Sequence, residues 1–290
     1  MAQAVVHFDN DASQAHDNPQ IAFWGLRLSV IIYLSVMIIL PLFVISVQGL
    51  RDGWDVFWTG ITRPVAWNAI WLSVWTAGVM AIINIVMGTV TAYVLVRYRF
   101  WGKNILNSLI DLPFAIPTLV TGVMLTLLYG PQTPLGGFLD KELGIKVLFS
   151  HTGIILALLF LGYPFVIRAV QPIMVKLDAN QQEAAHTLGA SQFTTFRRVI
   201  LPALLPAMIT GGLLSFARAL GEFGSVVIIS GNIPMRTQTA AVYVYAQVEG
   251  DKMASASGVS LVILFIALVT TLGVDYWYKR NKRTARGKSA

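Results

Sequence analysis

The chain alternates between long apolar runs and shorter polar segments, and the apolar runs have membrane-spanning length. About 20 predominantly apolar residues cross the hydrocarbon core of a bilayer. Six runs meet that length: 27–47, 67–96, 104–129, 152–172, 203–229 and 255–277. The pattern predicts an all-α polytopic membrane protein with six transmembrane helices.

The segments outside these runs differ in charge and in turn content. Residues 1–26 are polar without Lys or Arg, and we predict a flexible cytosolic tail. The transmembrane domain would then cover 27–277, followed by a basic cytosolic tail, 278–290. Pro and Gly in 131–144 predict a turn-rich loop. The apolar stretch 239–246 is too short to span, so we expect it to be interfacial or re-entrant.

Composition supports a single membrane domain and excludes several chemistries. The 290 residues are 56% hydrophobic and 12% charged, whereas soluble domains average about 25% charged. The absence of Cys excludes disulfides and thiolate metal sites. The four His have no metal-ligand spacing, and no P-loop run is present, so neither a metal site nor ATP binding by this chain is predicted.

The basic residues are divided unequally between the two sides of the predicted membrane. Of the 21 Lys and Arg, 14 lie on the side of both termini and the 173–202 segment, six lie on the other side, and Arg218 lies within a span. The richer side is cytoplasmic. The net charge of +7 is therefore a topology signal and not a nucleic-acid footprint. Both termini are predicted to be cytoplasmic.

The segment 178–202 combines helix-capping signals with a basic cluster. Asp178 and Gln181 fit a capping box, and Gly189 is placed to end the helix in a left-handed conformation. A second short helix is predicted from Ser191 to about Ile200. The segment is thus either a helix–Gly–helix elbow exposed to water, which could serve as a docking element, or an ordinary capped cytosolic loop.

The same segment resembles the EAA loop of ABC-importer permeases. The matching residues are Glu183-Ala184-Ala185, Gly189, Val199 and Leu201-Pro202. Val199 departs from the pattern, because the family more often has Ile there. The resemblance implies that an ATPase-coupling surface is formed by Glu183, Ala184, Ala185, Leu188, Gly189, Val199, Leu201 and Pro202.

Two further stretches narrow the resemblance. The run 217–224, ARALGEFG, and the following 230–232, SGN, resemble the oxyanion branch, which contains the sulfate/thiosulfate and molybdate permeases. The run 111–118, DLPFAIPT, and 128–130, LYG, are most similar to the T-type subunit of sulfate/thiosulfate permeases.

This resemblance implies a type I ABC-importer permease fold and a place in a larger machine. The chain would be a non-catalytic permease subunit that moves sulfate/thiosulfate across a bacterial inner membrane by alternating access. The implied partners are a second homologous permease subunit, two copies of a cytosolic P-loop ATPase that bind ATP and Mg, and a periplasmic sulfate/thiosulfate-binding protein. No nucleic acid is expected.

Arg218 and Glu222 are the candidate residues of an anion path. They lie four residues apart within the fifth predicted span, hence on one helix face. Charges at that depth mark a pathway or form an ion pair. The pair could gate the path or only fix helix packing, and both interpretations stay open. The hydrogen-bond donors predicted to accompany them are Ser225, Ser230, Asn232, Thr118, Thr121 and the backbone at Gly221 and Gly224.

Asp111 precedes two prolines early in the third predicted span. Pro113 and Pro117 leave carbonyls unpaired and permit a bend. The bend could be a hinge, but helix packing with Asp111 near the cytosolic interface is slightly favoured.

Two other functions compete with sulfate import. The same machine could carry molybdate or tungstate, because pore residues hardly separate tetrahedral dianions of different radius. An ion-gradient-driven transporter would need no ATPase, but it often has more spans and paired broken helices.

Overall fold

A computed structural model describes residues 19–287 except 52, 178–186 and 188, and describes side chains from residue 24 to 273 and at 276. The described residues are helical and contain no strand. The helices are α1 Pro19–Leu50, α2 Trp54–Thr62, α3 Pro64–Arg97, α4 Lys103–Leu109, α5 Leu112–Ala115, α6 Thr118–Tyr129, α7 Pro134–Leu143, α8 His151–Lys176, α9 Gln192–Leu220, α10 Gly224–Ser230, α11 Ala240–Glu249 and α12 Met253–Gly287.

Five helices are long and apolar enough to cross a membrane, namely α1, α3, α8, α9 and α12. A sixth apolar segment consists of 103–115 and 118–129, which meet at an angle of 114°. The predicted all-α architecture with six apolar segments is thereby confirmed. Helix α1 begins at Pro19, earlier than predicted, and its side chains from Trp24 to Val47 are largely exposed within a unit of their own.

The core of the second unit, 48–290, is built where α3, α8 and α9 pack together. Val166, Ile167 and Val170 of α8 are fully buried against apolar side chains of α3 and α9. A β-carbon added at Gly211 of α9 would lie 2.7 Å from the Cα of Val166. This crossing therefore requires a residue without a side chain, and it fixes α9 against α8.

The fifth span differs from its prediction at both ends. It starts at Gln192, because the helix predicted to stop near Ile200 continues into the span through a π-helical stretch, Phe196–Ile200. Pro202 has no N–H to donate, and the wider turn absorbs the lost bond without ending the helix. The span stops at Leu220, and Gly221–Phe223 separate it from α10.

One loop prediction is also revised. Residues 131–144, predicted as a loop, contain α7, whose start is capped by Thr133 Oγ1 accepting from Gly136 N at 3.0 Å. Residues 240–246 of the stretch 239–246 belong to α11, which packs against α3 and α12, and an interfacial or re-entrant position stays a prediction. The bend of the third span follows from Pro117, because the residue before a proline is driven to an extended conformation, as observed at Ile116.

Candidate functional site

Two helix breaks meet at one place in the structure. Helix α6 begins just after the 114° bend, and α10 begins just after the break that ends α9. A β-carbon added at Gly224 would overlap Thr118 Oγ1, and one added at Gly122 would lie 2.8 Å from the carbonyl oxygen of Ser225. The two helices thus touch backbone to backbone. We call residues 116–122 together with 218–225 the helix-break joint.

Glu222 connects the end of α9 to the start of α10 through both of its carboxylate oxygens. The residue is only 3% exposed. Its Oε1 accepts hydrogen bonds from the backbone N and the Oγ of Ser225, each at 3.0 Å, and its Oε2 lies 2.8 Å from Arg218 Nη1. The negative charge is therefore compensated by a guanidinium on one side and by the first turn of α10 on the other.

Arg218 has more unoccupied hydrogen-bonding groups than its partner Glu222. It lies in the last turn of α9, and its side chain is 41% exposed. Apart from the nitrogen facing Glu222, its guanidinium N–H groups have no partner among the described residues. Arg218 therefore keeps charged donors that an anion can use.

The other predicted donors are distributed unevenly. Thr118 lies at the joint and is partly exposed, whereas Ser225 is fully buried and its hydroxyl is occupied by Glu222. Thr121 is buried and lines a mainly apolar cavity of about 570 Å³. Such a lining does not suit a dianion, and the path role of Thr121 stays a prediction.

Ser230 and Asn232 lie at the opposite end of α10 from the joint. The Ser230 carbonyl accepts from Thr237 Oγ1 at 2.6 Å, and Asn232 Oδ1 accepts from Gln238 Nε2 at 2.7 Å. Asn232 has a positive φ of 52°. These bonds fix the turn between α10 and α11, so the structure does not bring Ser230 and Asn232 together with Arg218.

A second arginine–carboxylate pair was not predicted from the sequence. Arg168 of α8 binds Asp111 through Nε at 2.8 Å and through Nη2. Its remaining N–H groups donate to the side chain and carbonyl of Asn107 and to Gln171 Oε1. An ionisable residue near the end of an apolar run is a signal for such a partner. The favoured packing role of Asp111 agrees with this network.

The segment 178–202, which we call the coupling element, lies only partly within the described residues. Glu183, Ala184, Ala185 and Leu188 fall outside them. Gly189 has a φ of 81°, which confirms its left-handed conformation. Val199 and Leu201 are partly buried, and Pro202 is exposed. Phe193 is 71% exposed and was not singled out by the motif.

The coupling element is joined to the helix-break joint by one helix. Phe196 packs edge-on against Tyr93 of α3, with ring centroids 5.6 Å apart, and Ile200 is buried in the core formed with α8. Helix α9 then runs to Leu220, so 29 residues cover roughly 43 Å at 1.5 Å per residue. One helix therefore extends from Gln192, three residues after Gly189, to the turn that contains Arg218.

The fold, the coupling element and the helix-break joint together indicate the class of protein to which the chain belongs. The sequence profile of the binding-protein-dependent transport system inner membrane components matches residues 84–286, and the chain belongs to this family. It is a non-catalytic permease component, as predicted, and not the component that hydrolyses ATP.

Individual relatives agree with this membership. The chain is 40% identical over 259 residues to the probable sulfate transport system permease protein cysT of Chlorokybus atmophyticus, covering 89% of each chain. It is 36% identical over 266 residues to the sulfate transport system permease protein CysT of Escherichia coli, covering 91% of this chain and 96% of that one.

Solved structures show the same fold at low identity. A bacterial ABC transporter involved in the import of the acidic polysaccharide alginate matches 91% of this chain and 96% of its own, with a TM-score of 0.75 and 15% identity. An inward-facing MetNI methionine ABC transporter matches 76% of this chain and 98% of its own, with a TM-score of 0.55 and 15% identity. The predicted ABC-importer permease fold is confirmed.

Proposed function

We propose that this chain is the permease subunit of an ATP-driven importer for sulfate and thiosulfate. The observation that carries the proposal is the similarity, over about nine-tenths of both chains, to proteins named as sulfate transport system permeases. The arrangement of charge at the helix-break joint supports an anionic substrate. Arg218 offers N–H donors beside a carboxylate whose own charge is already compensated.

The complete importer would contain four kinds of subunit. A second homologous permease would enclose the path with this chain, because five or six apolar spans are few for that purpose. Two copies of a cytosolic P-loop ATPase would bind ATP and Mg, and a periplasmic binding protein would deliver the anion. One matched ABC transporter was crystallised with a periplasmic protein carrying its substrate, which supports this kind of partner.

The chain would span a bacterial inner membrane with both termini in the cytoplasm. The excess of Lys and Arg on the side of the 173–202 segment supports this orientation. It places Gly189 and Phe193 where a cytosolic ATPase can reach them. The exposed aromatic ring of Phe193 suits a protein contact, because aromatic residues are enriched in interfaces.

Transport would proceed by alternating access. Closure of the ATPases would move the coupling element, and α9 would carry that movement to the helix-break joint. Glu222 would hold Arg218 by their ion pair until the joint opens, when the dianion competes for the guanidinium. A loosely built anion site suits a transporter that takes its specificity from a binding protein, since tight binding in the path would slow release.

The proposal is tested by uptake of labelled sulfate into proteoliposomes that contain the whole complex. Uptake should require ATP, and thiosulfate should compete at concentrations at which molybdate does not. Equal competition by molybdate would instead identify a molybdate or tungstate importer. Uptake by this chain alone without ATP would establish a gradient-driven transporter.

The coupling role has its own test. Gly189→Asp should abolish ATP-dependent uptake, because the left-handed φ of 81° disfavours a side chain and the added charge would face the ATPase. Glu183→Lys should release the ATPase from the purified complex. Normal uptake in both variants would show that this segment is an ordinary loop.

A further inference from the structure

A depression between α4 and α8 has a lining that the transport function does not use. It has a volume of about 520 Å³ and lies at the C-terminal ends of α3 and α8. Lys103 and Asn104 also line a second hollow of about 350 Å³, which contains Arg99 and Trp101. The two hollows therefore form one continuous surface, which we call the basic depression.

Among the described residues, the lining of the basic depression carries positive charge only. None of the described residues that line it is acidic. Lys103 is oriented by donating from Nζ to the Tyr98 carbonyl at 3.2 Å. Lys176 and Arg99 are exposed, and their side chains have no partner in the described part of the chain. The nearest described carboxylate in this network, Asp111, is already bound by Arg168.

Neutral donors accompany these cations. Asn107 Oδ1 accepts from Arg168 at 3.0 Å and from Gln171 at 3.2 Å. Both of its acceptor positions are therefore used, and its amide N–H groups remain as donors toward an oxyanion. The lining thus offers the Lys176 ammonium group, the Lys103 N–H donors that do not face Tyr98, and the amide N–H groups of Asn107.

The rest of the lining is apolar, as expected at a lipid boundary. Val175 is 69% exposed within the depression, and Ile105 beside it is 62% exposed. Trp101 is 97% exposed at the rim. Tryptophan is enriched at the level of lipid headgroups, and exposed aliphatic groups next to cations suit a molecule that carries both phosphate and acyl chains. A free inorganic anion would gain nothing from these apolar surfaces.

We infer that the basic depression binds the phosphate headgroup of an anionic phospholipid, with Lys103 and Lys176 as its principal cations. Basic pockets between transmembrane helices bind anionic lipid headgroups in this way. A phosphate held by both lysines would connect α4 to α8. Anionic lipid would therefore stabilise the same pair of helices that Arg168 of α8 connects through its hydrogen bonds to Asn107 of α4.

The inference is tested on the whole purified complex in nanodiscs of phosphatidylcholine with increasing phosphatidylglycerol. Native mass spectrometry counts the retained phosphatidylglycerol, and the melting temperature is measured in parallel. Each cation near a lipid surface contributes about fivefold in affinity. The Lys103→Gln/Lys176→Gln variant should therefore lose roughly 25-fold of its preference for phosphatidylglycerol, together with the lipid-dependent rise in melting temperature.

Matched variants separate charge from misfolding and from other ligands. Lys103→Arg/Lys176→Arg should retain the lipid, and so should Lys141→Gln/Lys146→Gln, which removes equal charge elsewhere. Unchanged lipid retention in the Gln variant of the depression would overturn the inference. Loss of the ATPase from that variant with lipid retained would instead assign the surface to protein docking. Stabilisation by free phosphate in phosphatidylcholine alone would assign it to a soluble anion.

Discussion

Two arginine–carboxylate pairs join described residues of the chain, and the two pairs use their hydrogen-bonding groups differently. Arg168 donates every guanidinium N–H to Asp111, Asn107 or Gln171. The side chain of its carboxylate partner, Asp111, is 49% exposed. At the helix-break joint the carboxylate of Glu222 is buried and fully bonded, while the arginine keeps unused donors. A saturated arginine clamps two helices, whereas an unsaturated one beside a bonded carboxylate is available to an anion.

The largest expected effect tests whether Arg218 contacts the transported anion. Hydrogen bonds to charged groups contribute about 1.5–3 kcal/mol, so Arg218→Gln should lower sulfate uptake by roughly tenfold to a hundredfold. Uptake is measured in proteoliposomes after confirming that all subunits co-purify. Arg218→Lys should retain part of the activity because it keeps the charge. Full uptake by the Gln variant would make the pair a packing element like Arg168–Asp111.

Replacement of Glu222 separates its charge from its capping role. Glu222→Ala removes the acceptor for Ser225 N and should destabilise the complex by about 1–3 kcal/mol, because buried donors lose their partner. Glu222→Gln keeps an acceptor and should be more stable than the Ala variant, yet release Arg218 and uncouple ATP hydrolysis from uptake. Thermal unfolding and the ratio of ATP hydrolysed to sulfate moved are the two measurements. Identical behaviour of both variants would refute a distinct role for the charge.

The close contact between α6 and α10 is tested by adding one methyl group. The methyl group added by Gly224→Ala would push α10 away from Thr118 and from the backbone of Leu119. The cost in stability should be about 1–3 kcal/mol. Gly78→Ala is the matched control, because nothing lies within 4 Å of its added β-carbon. Alanine there should be neutral or slightly stabilising. Equal thermal stability of the two variants would contradict the backbone contact at the joint.

The smallest effect is expected at the exposed pair. Asp111→Asn should lower stability by about 1 kcal/mol or less, since solvent screens half-exposed ion pairs. Uptake per folded complex should be unchanged. A large loss of uptake with an unchanged melting temperature would place Asp111 in the transport cycle and remove the contrast between the two pairs.

The sequence predicted the architecture better than the joint. The apolar runs and the spacing of Arg218 and Glu222 were sufficient to place five spans and one ion pair. The break at Gly221–Phe223 was missed because the apolar run continues through Val226 and Ile229, so hydropathy alone shows no interruption. Glu222 lies three residues before Ser225 and caps α10 with its carboxylate. This contact depends on how the turn at Gly221–Phe223 folds.

The sequence analysis also missed helix α7 and the partner of Asp111. Thr133 followed by Pro134 is a helix start and Gly144 a helix stop, but the glycines between them suggested a loop. The partner of Asp111 lies 57 residues away in sequence, at Arg168. This pairing depends on how the broken third span packs against α8. A local stretch of sequence does not contain that information.

In the proposed transport cycle, helix α9 would act as a lever with unequal arms. If the crossing at Gly211 and Val166 is its pivot, the arm toward Gln192 is roughly 29 Å long and the arm toward Leu220 roughly 14 Å. Movement at the coupling end would then be halved at the joint, while the force is doubled. A stroke of a few ångströms would still carry Arg218 beyond hydrogen-bonding reach of Glu222, which α10 holds in place.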